Sequence, residues 1–208
     1  MLIMKKDALT KIKDKNAPGV LFLMSDFLKD YMRDASMKKD VLSWVRNGQI
    51  KRFSYGLYYF EGKNEPTALD AIRIRYVERS GKRYGFFGGS AFVQEVKGLP
   101  IRLNDNVIEV VSNVATSGKK TMREFGKTFI LKKPYMKIDK YNVSMVSFLT
   151  YIANTPLPDI EQNLSALSNF VRQEHLSALT MADIISLFPS KTFSKLLKTD
   201  LYRSFWKH

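Results

Sequence analysis

The sequence predicts an α+β fold in two domains, and three observations carry that prediction. Apolar residues recur at helical spacing between Lys5 and Arg46 and again after Lys140. Between those regions, segments of alternating character are separated by Ser117-Gly118 and Gly126, the pattern of an antiparallel sheet. The polar stretch Glu61-Gly62-Lys63-Asn64-Glu65-Pro66 reads as a linker between a first domain over 1–62 and a second over 66–208.

In the first domain, Lys5 to Lys15 predicts a helix with Leu9 and Ile12 on its inner face, broken by Asn16-Ala17-Pro18-Gly19. Val20-Leu21-Phe22-Leu23 follows as a short buried strand. Ser25 is placed to cap a second helix that turns Phe27, Leu28, Tyr31 and Met32 inward. A third helix runs from Ser36, in the N-cap position, to Gly48, the left-handed closing residue. Its apolar face is Met37, Val41, Trp44 and Val45, so Trp44 reads as core. Ile50 to Phe60 forms a hairpin around Ser54-Tyr55-Gly56. Three helices and a hairpin in this order make a winged helix-turn-helix.

The second domain opens with a helix from Thr67 to Arg79, on the spacing of Leu69, Ile72, Tyr76 and Val77. Gly81 to Gly85 reads as a turn, and Gly88-Gly89 leads into a short helix with Ala91, Phe92 and Val96 inward. Strands are expected over 107–113, 121–125 and 128–133, paired antiparallel. The C-terminus is helical: one helix marked by Val143, Val146, Leu149 and Ile152 and ended by Pro156 and Pro158, another over 160–173, then Ala182–Phe188 and Ser194–Phe205 around Pro189.

Charge narrows the partners. The chain of 208 residues carries 34 Lys and Arg against 20 Asp and Glu, for a formal charge of +14. That excess points to a polyanion, with nucleic acid the default and an anionic membrane surface second. Residues 1–60 hold +6, residues 61–140 hold +7 and residues 141–208 only +1, which assigns the polyanion to the first two-thirds of the chain. The absence of cysteine excludes disulfides, thiolate metal sites and cysteine nucleophiles. Two histidines, His175 and His208, cannot build a His-rich metal site. No apolar run reaches the roughly 20 residues of a membrane span, and the opening MLIM is too short for a signal peptide. A cytoplasmic, non-enzymatic protein without cofactor or metal is the expectation.

The candidate DNA-contacting residues are Ser36, Lys38, Lys39, Ser43 and Arg46 on the third helix and Lys51, Arg52 and Tyr55 on the wing. Lysines would hold phosphates, and whichever of Lys39, Ser43 and Arg46 reaches a base edge would read sequence. Arg73, Arg75, Arg79, Lys82 and Arg83 form a second basic cluster, readable as a further DNA or RNA contact or as a solvated helix end. Gly88-Gly89-Ser90 invites a nucleotidyltransferase reading, but no Asp-x-Asp pair follows it, so the glycines read as a tight helix start. Asp105 and Glu109 lack the Glu-x-Lys companion of a nuclease site. Tyr84, Phe86 and Phe87 read as core residues, and His175 as a surface residue near a helix start.

With these residues in place, the chain resembles the AbiEi family of antitoxins from type IV toxin–antitoxin systems. The resemblance runs through Gly48-Gln49-Ile50-Lys51-Arg52-Phe53, Gly56-Leu57-Tyr58-Tyr59, Pro66-Thr67-Ala68-Leu69, Tyr84-Gly85, Gly88-Gly89-Ser90-Ala91, Val107 to Asn113 and Ala182 to Leu196. It implies a winged helix that represses the protein's own operon by binding double-stranded DNA at a promoter repeat. It further implies a second domain that counters a nucleotidyltransferase-like toxin without a stable complex. Such wings often carry a basic residue before Gly56, where this chain has Tyr55. A transcription regulator of the same architecture without a toxin, and an RNA-binding protein, are the alternatives.

Overall fold

A computed structural model describes residues 2–29, 33–102 and 107–206, and for residues 2–7 the backbone alone. The fold is mixed α and β, and the chain divides into two compact units, 1–74 and 75–208.

The first unit opens with α1 (Leu2–Lys15), which buries Ile12 and packs Leu9 against the core. Asn16 closes it by donating its amide to the Ile12 carbonyl at 2.7 Å. Gly19 adopts φ +79°, and a Cβ there would stand 2.6 Å from the Asn64 carbonyl oxygen, so glycine is required on two counts. β1 (Phe22–Leu23) pairs antiparallel with β3 (Leu57–Tyr59), which also pairs with β2 (Lys51–Ser54), for a sheet order β1–β3–β2. Between β1 and β2 lies α2 (Ala35–Arg46). Phe22 stacks on Phe60 at 5.5 Å and meets Phe27 edge-on at 5.7 Å. Ile12, Met24, Val41, Trp44, Ile50 and Tyr58 complete the core around them.

Two expectations need correction here. The helix expected after Ser25 is a single 3-10 turn over Met24–Asp26, with Ser25 inside it rather than capping it. The Met24 amide is held by the Gly56 carbonyl at 3.0 Å, which keeps the chain tied to the sheet at the point where a helix would begin. Tyr31 and Met32 lie outside the described residues. The cap of α2 is Asp34, not Ser36: the Asp34 carboxylate accepts from the amides of Ser36 (2.7 Å) and Met37 (3.3 Å).

α3 (Ala68–Ile72) starts at a reciprocal capping box between Thr67 and Asp70. The helical path loosens into a π turn over Arg73–Val77 and then becomes strand β4 (Glu78–Arg79), so Thr67 to Arg79 is not one α-helix.

In the second unit, β4 forms a small hairpin with β5 (Lys82–Arg83). β6 (Gly85–Gly88) runs straight into α4 (Gly89–Val96), followed by β7 (Ile108–Ser112), β8 (Lys119–Glu124) and β9 (Lys127–Lys132). The sheet order is β6–β7–β9–β8. The β6–β7 and β9–β8 pairs are antiparallel, but β7 and β9 run parallel, which corrects the expectation of a purely antiparallel sheet. The polar strand β8 takes the outer edge, so β9, with buried Phe129 and Leu131, returns beside β7 in the same direction. Phe86 and Phe87 are buried within β6.

α5 (Val143–Asn154) is the centre of this unit, with ten of its twelve residues buried. The expected helix over 160–173 is split into α6 (Leu157–Glu161) and α7 (Leu164–Gln173). α8 (Ala178–Ile184), α9 (Lys191–Lys198) and a 3-10 turn over Leu201–Phe205 close the chain. Lys195 reaches from α9 to the end of α5 and donates to the carbonyls of Ile152 (3.0 Å), Ala153 (3.3 Å) and Thr155 (2.5 Å). These are carbonyls a helix end leaves unpaired. No helix among the described residues is long and apolar enough to cross a membrane.

Candidate nucleic-acid interface

α2 owes its amphipathic split to the spacing of its apolar residues. Val41 and Trp44 are buried, with Met37 and Val45 packed beside them, and this fixes which side faces water. Ser36, Lys39, Ser43 and Arg46 fall on that outer side and are all exposed. Lys38 sits at the flank, partly buried. Leu42 stands among the basic residues with 43% of its surface exposed, an apolar side chain that sequence reasoning passed over. Its helical position, three residues after Lys39 and off the Val41–Trp44 side, was the available signal. Ser43 also accepts a long 3.5 Å hydrogen bond from the Asn47 amide. The helix ends where Gly48 turns to φ +67° and the Gln49 amide returns to the Trp44 carbonyl at 2.9 Å.

The β2–β3 hairpin carries the other three residues, and it treats them differently. Tyr55 occupies the turn with Gly56 at φ +79° and is 53% exposed. Arg52 is exposed and lies over the Tyr55 ring, its guanidinium carbon 5.7 Å from the centroid. Lys51 is not an open cation. Its ammonium donates to Glu61 at 2.7 Å and lies 4.0 Å from Glu65, and this pairing raises its pKa and lowers that of Glu61.

The second basic cluster is not a set of open charges. Arg75 meets Glu124 at 3.5 Å and lies 5.2 Å over the Phe125 ring. Arg83 pairs with Glu78 across the β4–β5 hairpin at 3.2 Å. Arg73 and Arg79 both have partners, and Lys82 is exposed at the start of β5. The solvated-helix-end reading of this cluster is therefore corrected: Arg79, Lys82 and Arg83 belong to a hairpin.

Gly89 begins α4 at φ +57°, the tight start expected of it. Glu109 is held by Lys132 at 2.7 Å, and Asp105 lies outside the described residues. His175 is exposed, as expected, and lies at φ +50° between α7 and the Ser177 cap that starts α8. No family model, no curated protein and no solved structure matches this chain.

Proposed function

We propose that this chain is a DNA-binding antitoxin that represses its own operon through the first unit and counters a nucleotidyltransferase-like toxin through the second. One observation carries the DNA-binding half. Lys39, Leu42, Ser43 and Arg46 share the exposed side of a helix whose opposite side is core, and the hairpin that follows presents Arg52 and Tyr55 at its tip. The sheet order β1–β3–β2, with α2 inserted between β1 and β2, supports a winged-helix reading. In that reading α2 lies in the major groove. Lys39 and Arg46 are long enough to reach base edges or phosphates, Ser43 bonds a base edge, and Leu42 meets a thymine methyl. Arg52, steadied by Tyr55, holds the backbone beside the groove. The toxin half rests on the AbiEi resemblance.

The test is a fluorescence-anisotropy titration on the duplex upstream of the gene across a salt series. Three or four phosphate contacts give a log–log slope of about −3 to −4. A flat response between low and moderate salt would remove the electrostatic basis of the reading. Co-expression with a nucleotidyltransferase encoded beside the gene tests the second half: growth restored by the full chain supports it, and unrelieved toxicity refutes it.

A further inference from the structure

The second unit carries a cationic surface that the DNA-binding reading does not use. Residues 119–133, the β8–β9 hairpin and the lysine after it, hold six Lys and Arg against one carboxylate. Lys132 is matched by Glu109 at 2.7 Å, and the hairpin's own carboxylate, Glu124, is held by Tyr76 at 2.9 Å and Arg75 at 3.5 Å. Lys119, Lys120, Arg123, Lys127 and Lys133 are all exposed, and none has an ion-pair partner among the described residues. The register even sets Lys119 directly opposite Lys132, an unfavourable pair until an anion lies over it. Lysines along an outer strand deter pairing with a second sheet. That role does not account for Lys127, on the inner strand β9, or for Lys133 beyond it.

The hairpin tip is an independent sign of a ligand. Phe125 and Gly126 form its two-residue turn, both at positive φ (+54° and +69°). Such turns favour Asn-Gly, because a left-handed backbone is strained for a large side chain. Here the position holds an aromatic ring, partly exposed among the cations and steadied by the Arg75 guanidinium 5.2 Å from its centroid. Strain of this kind gathers at ligand-binding sites. Arg75 also lines a cavity of about 360 Å³ beside β8, with Tyr76, Thr116, Ser117, Lys120 and Met122. That volume is at the lower end for small-molecule sites and leaves room for one nucleobase.

We propose that the β8–β9 hairpin binds single-stranded RNA. The phosphates run along Lys119, Arg123 and Lys127, one base stacks on the Phe125 ring, and a neighbouring base enters the cavity past Lys120. A cationic track with an aromatic platform is the arrangement that holds unpaired bases, which a duplex keeps out of reach. Thr116, Ser117, Thr121 and Thr128 are exposed between the cations and offer hydroxyl partners to the ribose 2′-OH, which DNA lacks.

Fluorescence anisotropy of a labelled 20-nucleotide oligouridylate, titrated with the full chain at near-physiological salt, tests this. Binding should saturate with Kd below about 10 μM. The oligothymidylate of equal length should bind at least threefold more weakly, and polyglutamate should not compete at equal charge. K119A/R123A/K127A should weaken binding tenfold or more and reduce the salt slope by about 2, with an unchanged melt because all three side chains are exposed. Phe125→Gly should weaken binding about fivefold or more without lowering the melt, since glycine accepts the left-handed turn. K39A/R52A, altered only in the DNA-binding face, should bind the RNA as the wild type does, which separates this proposal from that reading. Absent saturation, equal binding of the oligothymidylate, competition by polyglutamate, or undiminished binding by either hairpin variant overturns the proposal.

Discussion

Arg52 and Tyr55 form one unit at the tip of the β2–β3 hairpin, the guanidinium carbon lying 5.7 Å from the tyrosine ring centroid. The tip thus presents a cation whose position is limited by an aromatic ring three residues on, and the ring's own face is partly occupied by that cation. The turn itself carries no charge at Tyr55, and the cation of the tip is Arg52, three residues before it in β2.

Arg52→Ala should therefore lower affinity for duplex DNA by roughly three- to tenfold and reduce the salt slope by about 1. Tyr55→Ala should produce a smaller loss with little change of slope, because it frees the arginine without removing its charge. Anisotropy titrations at three salt concentrations separate the two.

Lys51→Ala should change DNA affinity by less than about twofold, in contrast to Lys39→Ala. The Lys51 ammonium is already engaged by Glu61 at 2.7 Å, whereas Lys39 is exposed on the outer side of α2. Equal losses from the two substitutions would contradict this account of the hairpin.

Leu42→Ala should leave stability nearly unchanged, since the side chain is 43% exposed, and relax discrimination at one base pair. The expected cost is about 1 kcal/mol or less at that position only, read from affinities for a set of singly substituted duplexes.

Tyr76 donates to the Glu124 carboxylate at 2.9 Å, and burial, more than that carboxylate, raises its pKa above the ordinary 10.0. A group with a raised folded-state pKa contributes stability below its unfolded pKa and loses it as pH rises beyond. Denaturant melts should therefore show the wild type losing stability above pH 10 faster than Tyr76→Phe, which removes the titrating group. At neutral pH the same substitution should cost about 1 kcal/mol for the lost hydrogen bond.

Gly85→Ala should destabilise the second unit by several kcal/mol, on the order of 3–5. An added Cβ would stand 2.2 Å from the Tyr76 carbonyl oxygen and 2.7 Å from that of Val111, and neither is a side chain that could move aside. A thermal melt of the variant measures it, and an unchanged midpoint would mean the strand can shift.

Much of this architecture was legible in the sequence, and the exceptions have physical causes. α2 and α5 were readable because their apolar residues fill one side or nearly all of a helix. The 3-10 turn at Met24 was not, because Ser25 followed by Phe27 and Leu28 imitates a capped helix while the deciding bond comes from Gly56, far along the chain. Tyr76 and Val77 are buried and stand at helical spacing from Leu69 and Ile72, yet the chain reaches them through a π turn. Alternation identified β7 and β9 as strands but carries no information on direction, so their parallel pairing was invisible. On the candidate interface, Trp44 was correctly read as core. The pairing of Lys51 was missed because Glu61 lies ten residues away and meets it only once the hairpin closes.

The most direct test of the DNA-binding account is the ratio of affinities for the gene's own upstream duplex and a scrambled duplex of equal composition. It should be measured at near-physiological salt for the wild type and for K39A/R46A. The account predicts a preference of about a thousandfold or more for the native sequence, falling at least tenfold in the variant while both proteins melt alike. Equal affinity of the wild type for both duplexes would contradict it and turn the search for the polyanion toward RNA.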